Sequence, residues 1–359
     1  MNTYESFLQL VRIGIGHAEN TDLTIKVDDW IQIKALAEKQ GLTAVVLDGL
    51  DKCRIETTDT LPQSMRLEWI GEVLQNYEQR YVAYEKAIGN LAGWYNQHGF
   101  KMMLLKGYGL SLNWPNPKHR PCGDIDIWLF GQYRKADVLL SSEKGVKIDN
   151  SYHHHTVFEW KCFSVENHYD FLNIHHHKSN VEMERILKDL GQDDSDYVEI
   201  CGERVFLPSS DLHALFLLRH SMSNFASTGF QLRQLLDWAF FVEKHGAEID
   251  WKWLEGQLEH FGMKKLYDVF NSICVVKLGF NEKLFKIEHV DKNLNERVLN
   301  DILSPEFSEK ESGGFISRAM FKYRRWRANA WKHQLCFRES LWSAFLSGIW
   351  SHLLKPSSI

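Results

Sequence analysis

Residues 123–130 read GDIDIWLF, an apolar run in which Asp124 and Asp126 alternate with Ile125 and Ile127. A period of two is the mark of a β-strand with one face in a core. Such a strand can lie only one way. Ile125, Ile127 and Leu129 go into apolar packing, and the two carboxylates project together on the other side, roughly 7 Å apart at the backbone. Carboxylates so placed repel, and one takes up a proton unless a cation lies between them. A hard divalent cation meets that need. Magnesium (Mg2+) takes oxygen ligands, commonly one or two carboxylates plus substrate phosphates.

The residues before this strand point the same way. FKMMLLKG (100–107) is a short apolar run ending in Lys106 and Gly107, which suits a buried strand that stops at a turn. A lysine ammonium at a turn with free backbone amides makes a corner for phosphate. YGLSLNW (108–114) has room for one or two helical turns, and PNPKHRP (115–121) is a loop, because three prolines in seven residues leave no interior position. Arg120 lies four residues before Asp124, and a guanidinium grips phosphate bidentately. Gly123 permits close backbone approach to a ligand. A third carboxylate is expected on a neighbouring strand. HTVFEWKCFSVENHYDFL (155–172) reads as two strands joined near Lys161 and Cys162. In the second, Glu166 and His168 share a face. Glu166 is the first choice, Asp170 the alternative, and Glu159 on the preceding strand comes third.

The rest of the chain is helical in texture. DDWIQIKALAEKQG (28–41) and the long pattern 65–99 have apolar spacing near 3.6 and end at Gly41 and Gly99. GQYRKADVLLSSEKG (131–145) reads as a surface helix. Helical period returns near Pro208, with serines suited to capping and a second helix closed by Gly246. At 359 residues two or three structural units are expected. The reading is α+β: an N-terminal helical domain (1–98), a small mixed-sheet core (99–208) and a C-terminal helical domain (209–359).

Charge and cysteine usage exclude some classes. A net charge of −5 argues against a globally basic nucleic-acid binder. Six scattered cysteines form no CxxC pair and no zinc spacing, which suits free, mostly buried thiols and a cytoplasmic location. The N-terminus has no signal-peptide pattern. The most apolar stretch, 341–354, is too short to span a bilayer and contains His352, so a buried or interfacial terminal helix is expected rather than a transmembrane segment.

Other features admit plainer readings. Two HHH runs occupy 153–155 and 175–177. Neighbours on a strand point to opposite sides, so a surface or site-lining role is favoured over zinc, with His155 and His168 as pocket-lining candidates. Arg233 and Asp237 stand four apart on a helix, as a surface pair or as residues that orient the C-terminal helices against the site, with His220 as a possible third member. Residues 317–333 hold six Lys or Arg, several aromatics and no acid. They suit a helix with snorkelling arginines over an aromatic core; nucleic-acid contact or a membrane surface are the alternatives.

Taken together, LLKG, RPCGDIDIWL and VENHYDF resemble the polymerase-beta-type nucleotidyltransferase superfamily, and more closely the bacterial uncharacterised nucleotidyltransferase family, whose L-R-x-L-L-D segment LRQLLDW (232–238) matches. The resemblance covers about 100–245. It implies a magnesium-dependent enzyme, with Asp124, Asp126 and Glu166 as catalytic residues and metal ligands, two Mg2+ ions, and a nucleoside triphosphate (NTP, such as ATP) held by Lys106, Gly107, Arg120, Gly123 and His168. The acceptor would be a hydroxyl of a small molecule, RNA or protein. The superfamily usually carries Gly-Ser at the turn, where this chain has Gly107–Tyr108, so the serine's phosphate contact passes to Lys106, to backbone amides or to nothing. A nucleotide-binding or regulatory module without turnover, and a toxin-like enzyme acting on tRNA, are the alternatives.

Overall fold

A period of 3.6 and two left-handed glycines shape the first hundred residues into helices α1 (Thr3–Gly14), α2 (Val27–Gln40), α3 (Thr43–Lys52), α4 (Gln63–Val73) and α5 (Arg80–Gln97). Gly41 (φ +65°) and Gly99 (φ +75°) stop α2 and α5 as expected. The long pattern before Gly99 is helical throughout, but a π-helical turn, Leu74–Gln79, separates α4 from α5. The computed structural model describes residues 3–18, 27–53, 61–175, 177–227, 229–287, 290–307 and 314–344.

The middle of the chain is a mixed sheet. Its elements are β1 (Met103–Leu104), α6 (Tyr108–Ser111), β2 (Ile125–Trp128), α7 (Tyr133–Lys144), β3 (His155–Trp160), β4 (Phe163–His168), α8 (Lys178–Leu190), β5 (Tyr197–Ile200) and β6 (Glu203–Phe206). The strand order is β3-β4-β2-β1-β6-β5. β2 runs antiparallel to β1 and parallel to β4. The parallel register sets Asp126 beside Glu166 and Trp128 beside His168. β3 and β4 meet at Lys161 (φ 50°) and Cys162 (φ 69°), the two positive φ angles that a tight right-twisted hairpin needs. Ile125, Ile127 and Leu129 are buried against Ile88, Leu91 and Val165, so β2 presents the faces that its alternation requires.

Helices complete the chain: α9 (Ser210–Ala226), α10 (Leu232–His245), α11 (Trp251–His260), α12 (Lys264–Val276), α13 (Lys292–Leu303), α14 (Phe315–Ala328) and α15 (Ala330–Cys336). Ser209 occupies the cap position of α9, yet its side chain makes no capping bond; Ser210 instead donates to Glu248. The two helical groups are not separate in packing. Phe7, Trp30 and Val46 share one apolar cluster with Leu235, Phe240 and Ile302. The Gln40 amide ties them, donating to the Ile302 carbonyl (2.9 Å) and accepting from the Leu232 amide (2.7 Å). α5 belongs to a second cluster, with the sheet.

The six thiols are unpaired, but fewer are buried than their scatter suggested: only Cys274 and Cys336 are fully so. In the basic stretch, Lys332 is buried, paired with Asp301 at 2.5 Å, and Arg325 lies over the Phe321 ring. Lys332 is thus a buried ion-pair member rather than a snorkelling side chain, whereas Arg325 covers an aromatic ring. Most of 341–354 lies outside the described residues. Among the described residues, no helix is long and apolar enough to cross a membrane.

Candidate active site

The site begins where β1 ends. The Leu105 amide donates to the Asp126 carbonyl (3.0 Å), which holds the Lys106 turn against β2. Gly107 then takes φ +61°, and a Cβ there would meet the Tyr84 hydroxyl at 2.5 Å. That hydroxyl donates to the Asp124 carbonyl at 2.7 Å. Glycine is therefore required twice, by its backbone angle and by the tyrosine that fixes the approach to β2. The turn carries no hydroxyl into the site: Tyr108 packs on Tyr81 and donates to Glu85 (2.6 Å), while Ser111 bonds Tyr81 and the Tyr108 carbonyl.

Lys106, Gly107, Arg120, Gly123, Asp124 and Asp126 line one cavity of about 160 Å³, with His220, Arg233 and Asp237 from α9 and α10 opposite. Small-molecule sites commonly run to roughly 300–1,000 Å³, so this space is smaller than a pocket that encloses a whole ligand of that class. A wider, open depression of about 450 Å³ beside α5 holds Lys86, Lys144 and Glu203 but no carboxylate pair.

Asp126 is the electrostatic centre. Lys106 Nζ lies 2.7 Å from its Oδ1, and His168 Nε2 lies 3.2 Å from the same oxygen. Burial alone would raise this carboxyl; the ammonium and the imidazole overturn that and hold it far below the usual carboxylate range. Asp124 goes the other way. Burial, then the charges of Glu166 and Asp126, raise its pKa. The ring of His168 is raised despite its burial, because Asp126 and Glu166 both favour its proton. Ligand atoms of Asp126, Glu166 and His168 lie within 4.8 Å of one another. Asp124 lines the same cavity but is outside that group.

The other candidates divide. Asp170 is committed to Lys188, and its carbonyl accepts from His168 Nδ1 (3.2 Å). Glu159 is exposed, opposite Ser164 near the hairpin turn. Arg120 has a different partner from the phosphate expected of it. Its Nε and Nη2 donate to both oxygens of Asp237 at 2.7 and 3.0 Å, and its Nη1 to the Pro121 carbonyl. Trp114 adds a third bond to Asp237 (2.9 Å). Arg233 consequently does not pair with Asp237 as its helical spacing allowed. It bonds Gln231, its buried Nε has no partner, and burial followed by the nearby Arg120 charge lowers its pKa to about 10. Nothing local marks this exchange. Asp237 is 117 residues from Arg120, and only the packing of α10 over the Arg120 loop reveals it.

The chain belongs to the uncharacterised nucleotidyltransferase family, whose model matches residues 26–276. The match reaches well into the N-terminal helices, beyond the 100–245 that the motifs suggested. It is also similar to a solved structure, an antigenic nucleotidyltransferase-like protein from Paracoccidioides brasiliensis. There the identity is 13%, 44% of this chain and 75% of that chain are covered, and the TM-score is 0.33. No curated protein matches the sequence.

Proposed function

We propose that this chain transfers a nucleoside monophosphate from an NTP to an acceptor hydroxyl, with magnesium bound at Asp124, Asp126 and Glu166. The observation that carries this reading is the gathering of carboxylates at one end of the cavity. Asp126 pairs with Lys106 and His168, Glu166 lies 3.5 Å from His168, and burial, then the charges of Glu166 and Asp126, raise Asp124. An all-oxygen donor set beside the cavity fits magnesium. When bound, the ion supplies charge neutralisation to the transferring phosphoryl group.

The chain's own residues would do the rest. Arg233, and Lys106 once it exchanges its pairing with Asp126, are the cations that would meet the triphosphate; Arg120 holds α10 in place through Asp237. The Glu166 carboxylate would take the proton of the acceptor hydroxyl. The acceptor oxygen bonds to the α-phosphorus, the bond from that phosphorus to the β-bridging oxygen breaks, and its electron pair leaves with pyrophosphate. Most of the acceleration would come from position and charge. A second reading, a triphosphate-binding module without turnover, is favoured by one observation: Tyr108 turns its hydroxyl to Glu85, away from the cavity.

The test uses purified chain, magnesium, each α-labelled NTP and a lysate fractionated into small molecules, RNA and protein. Asp124→Asn/Asp126→Asn runs beside it. Label moving to one fraction with the intact chain alone, with pyrophosphate released, supports transfer and identifies the acceptor class. RNA as that fraction would support the tRNA-directed reading. Triphosphate binding without release favours the binding module. Equal triphosphate binding by both proteins and no transfer overturns the metal-site reading.

A further inference from the structure

The imidazoles beside the carboxylates are not used by this mechanism. His154 and His155 come from one HHH run and His168 from β4. Their ligand nitrogens lie within 4.8 Å of one another. Strand alternation does not separate the first two, because β3 begins only at His155. His154 lies before it, and its carbonyl accepts the amides of Tyr169 and Asp170 (3.0 and 3.1 Å) just past the end of β4. This pins His154 over the same point that His155 and His168 reach.

We propose that His154, His155 and His168, with Glu166 as a carboxylate partner, form a binding site for a borderline divalent metal such as zinc. The ring centroids are 4.3, 5.2 and 5.5 Å apart. Three imidazoles on one tetrahedral zinc, with a Zn–N bond of 2.0–2.1 Å, have centroids about 5 Å apart. Two of the three separations match, and the third needs a small swing of one ring. Two of the three rings have unpartnered donor atoms, and the third, His168, would exchange its Nε2 contact with Asp126 (3.2 Å) for the metal. His154 Nδ1 and both ring nitrogens of His155 are buried without a hydrogen-bond partner. The Nδ1 of His168 donates to the Asp170 carbonyl, which orients the ring with Nε2 toward the cluster, as outer partners of metal-bound histidines do. Glu166 Oε2 stands 3.5 Å from His168 Nε2 and 3.8 Å from His155 Nδ1.

Imidazole suits zinc and its first-row neighbours, whereas magnesium takes oxygen. The cluster shares Glu166 with the proposed magnesium site but differs from its Asp124–Asp126 side by offering imidazole nitrogen, and zinc binding is measurable without nucleotide.

The test is made without nucleotide, on the full chain freed of any polyhistidine tag and stripped with a chelator. Zinc is titrated by calorimetry, and cobalt(II) is bound as a spectroscopic stand-in. One equivalent of zinc, and an intense cobalt spectrum of the four-coordinate kind, are expected. His154→Gln/His155→Gln should weaken zinc by at least about 10–100-fold, since even outer-shell losses reach that size. Asp124→Asn, on the carboxylate side, should keep zinc binding and lose transfer, which separates this proposal from the transferase reading. Equal zinc affinity in the histidine variant and the parent, or a weak cobalt spectrum of the six-coordinate kind in the parent, which needs no variant to fold, would overturn it.

Discussion

Two buried charged centres lie side by side across the cavity, and they are built differently. At Arg120–Asp237 the account is closed: one fork meets one carboxylate, and Trp114 satisfies the carboxylate further. At Asp126 it is open. Lys106 and His168 converge on one oxygen, Asp124 and Glu166 add charge, and the neighbouring His155 nitrogens have no partner. A closed buried network holds elements in register. An open one holds capacity for something else, and unsatisfied buried polar groups persist at a cost that function explains better than stability does.

The largest effect should come from opening the closed centre. Asp237→Ala leaves Arg120 buried and unpaired and should cost about 3–5 kcal/mol. Chemical denaturation would measure it, and the double change Arg120→Met/Asp237→Leu should recover most of the loss. A double variant no more stable than Asp237→Ala would show that the pair itself holds α10.

Altering the open centre should damage chemistry more than folding. Asp126→Asn should lower transfer about 10²–10³-fold, in the range of a lost electrostatic group at a reacting site, with a smaller change in Tm than Asp237→Ala. A Tm loss as large as that of Asp237→Ala would make the two centres alike.

Gly107 joins the centres' loops to β2. Gly107→Ala should cost about 1–3 kcal/mol from strain at its positive φ, measured by thermal unfolding. Adding Tyr84→Phe removes the hydroxyl that the new methyl would strike and should recover only part, because the backbone angle remains.

The smallest effect concerns pH. His119 is clamped between Asp48 (2.6 Å) and Glu78 (3.3 Å) beside Arg120. Burial opposes its proton, but the two carboxylates raise its pKa above the ordinary value. Its contribution is therefore complete below the unfolded value near pH 6.5 and is lost as pH rises through the folded one. With both partners partly exposed it should amount to about 1 kcal/mol or less. Denaturation from pH 6 to 9 should show a decline in the parent that His119→Gln flattens. Asp126, with its pKa lowered, has the opposite sign: its contribution holds above the carboxylate range and fades only in strong acid.

Much of the site was legible locally. Ile125, Ile127 and Leu129 announce which side of β2 is buried, and Lys106–Gly107 announces the turn. The parallel register that sets Glu166 beside Asp126 was not, because strand order is not written in the period of either strand. The partner of Arg120 was misleading for a related reason. A helical i,i+4 spacing linked Arg233 to Asp237, whereas the loop bearing Arg120 arrives from another element and makes the better bidentate pair.

The HHH run shows the same division. Alternation argued against a shared ligand point, and it holds only inside a ladder; His154 lies outside it, bent over by the amides of Tyr169 and Asp170. Sequence alone determined what short-range geometry controls: the helical texture of both ends, the strand that bears Asp126 with Asp124 just before it, and the burial of Ile125, Ile127 and Leu129. Tertiary structure decided which distant groups meet them, because side-chain period is a property of a few neighbouring residues, while charge pairing across the cavity depends on how α9, α10, β2 and β4 pack.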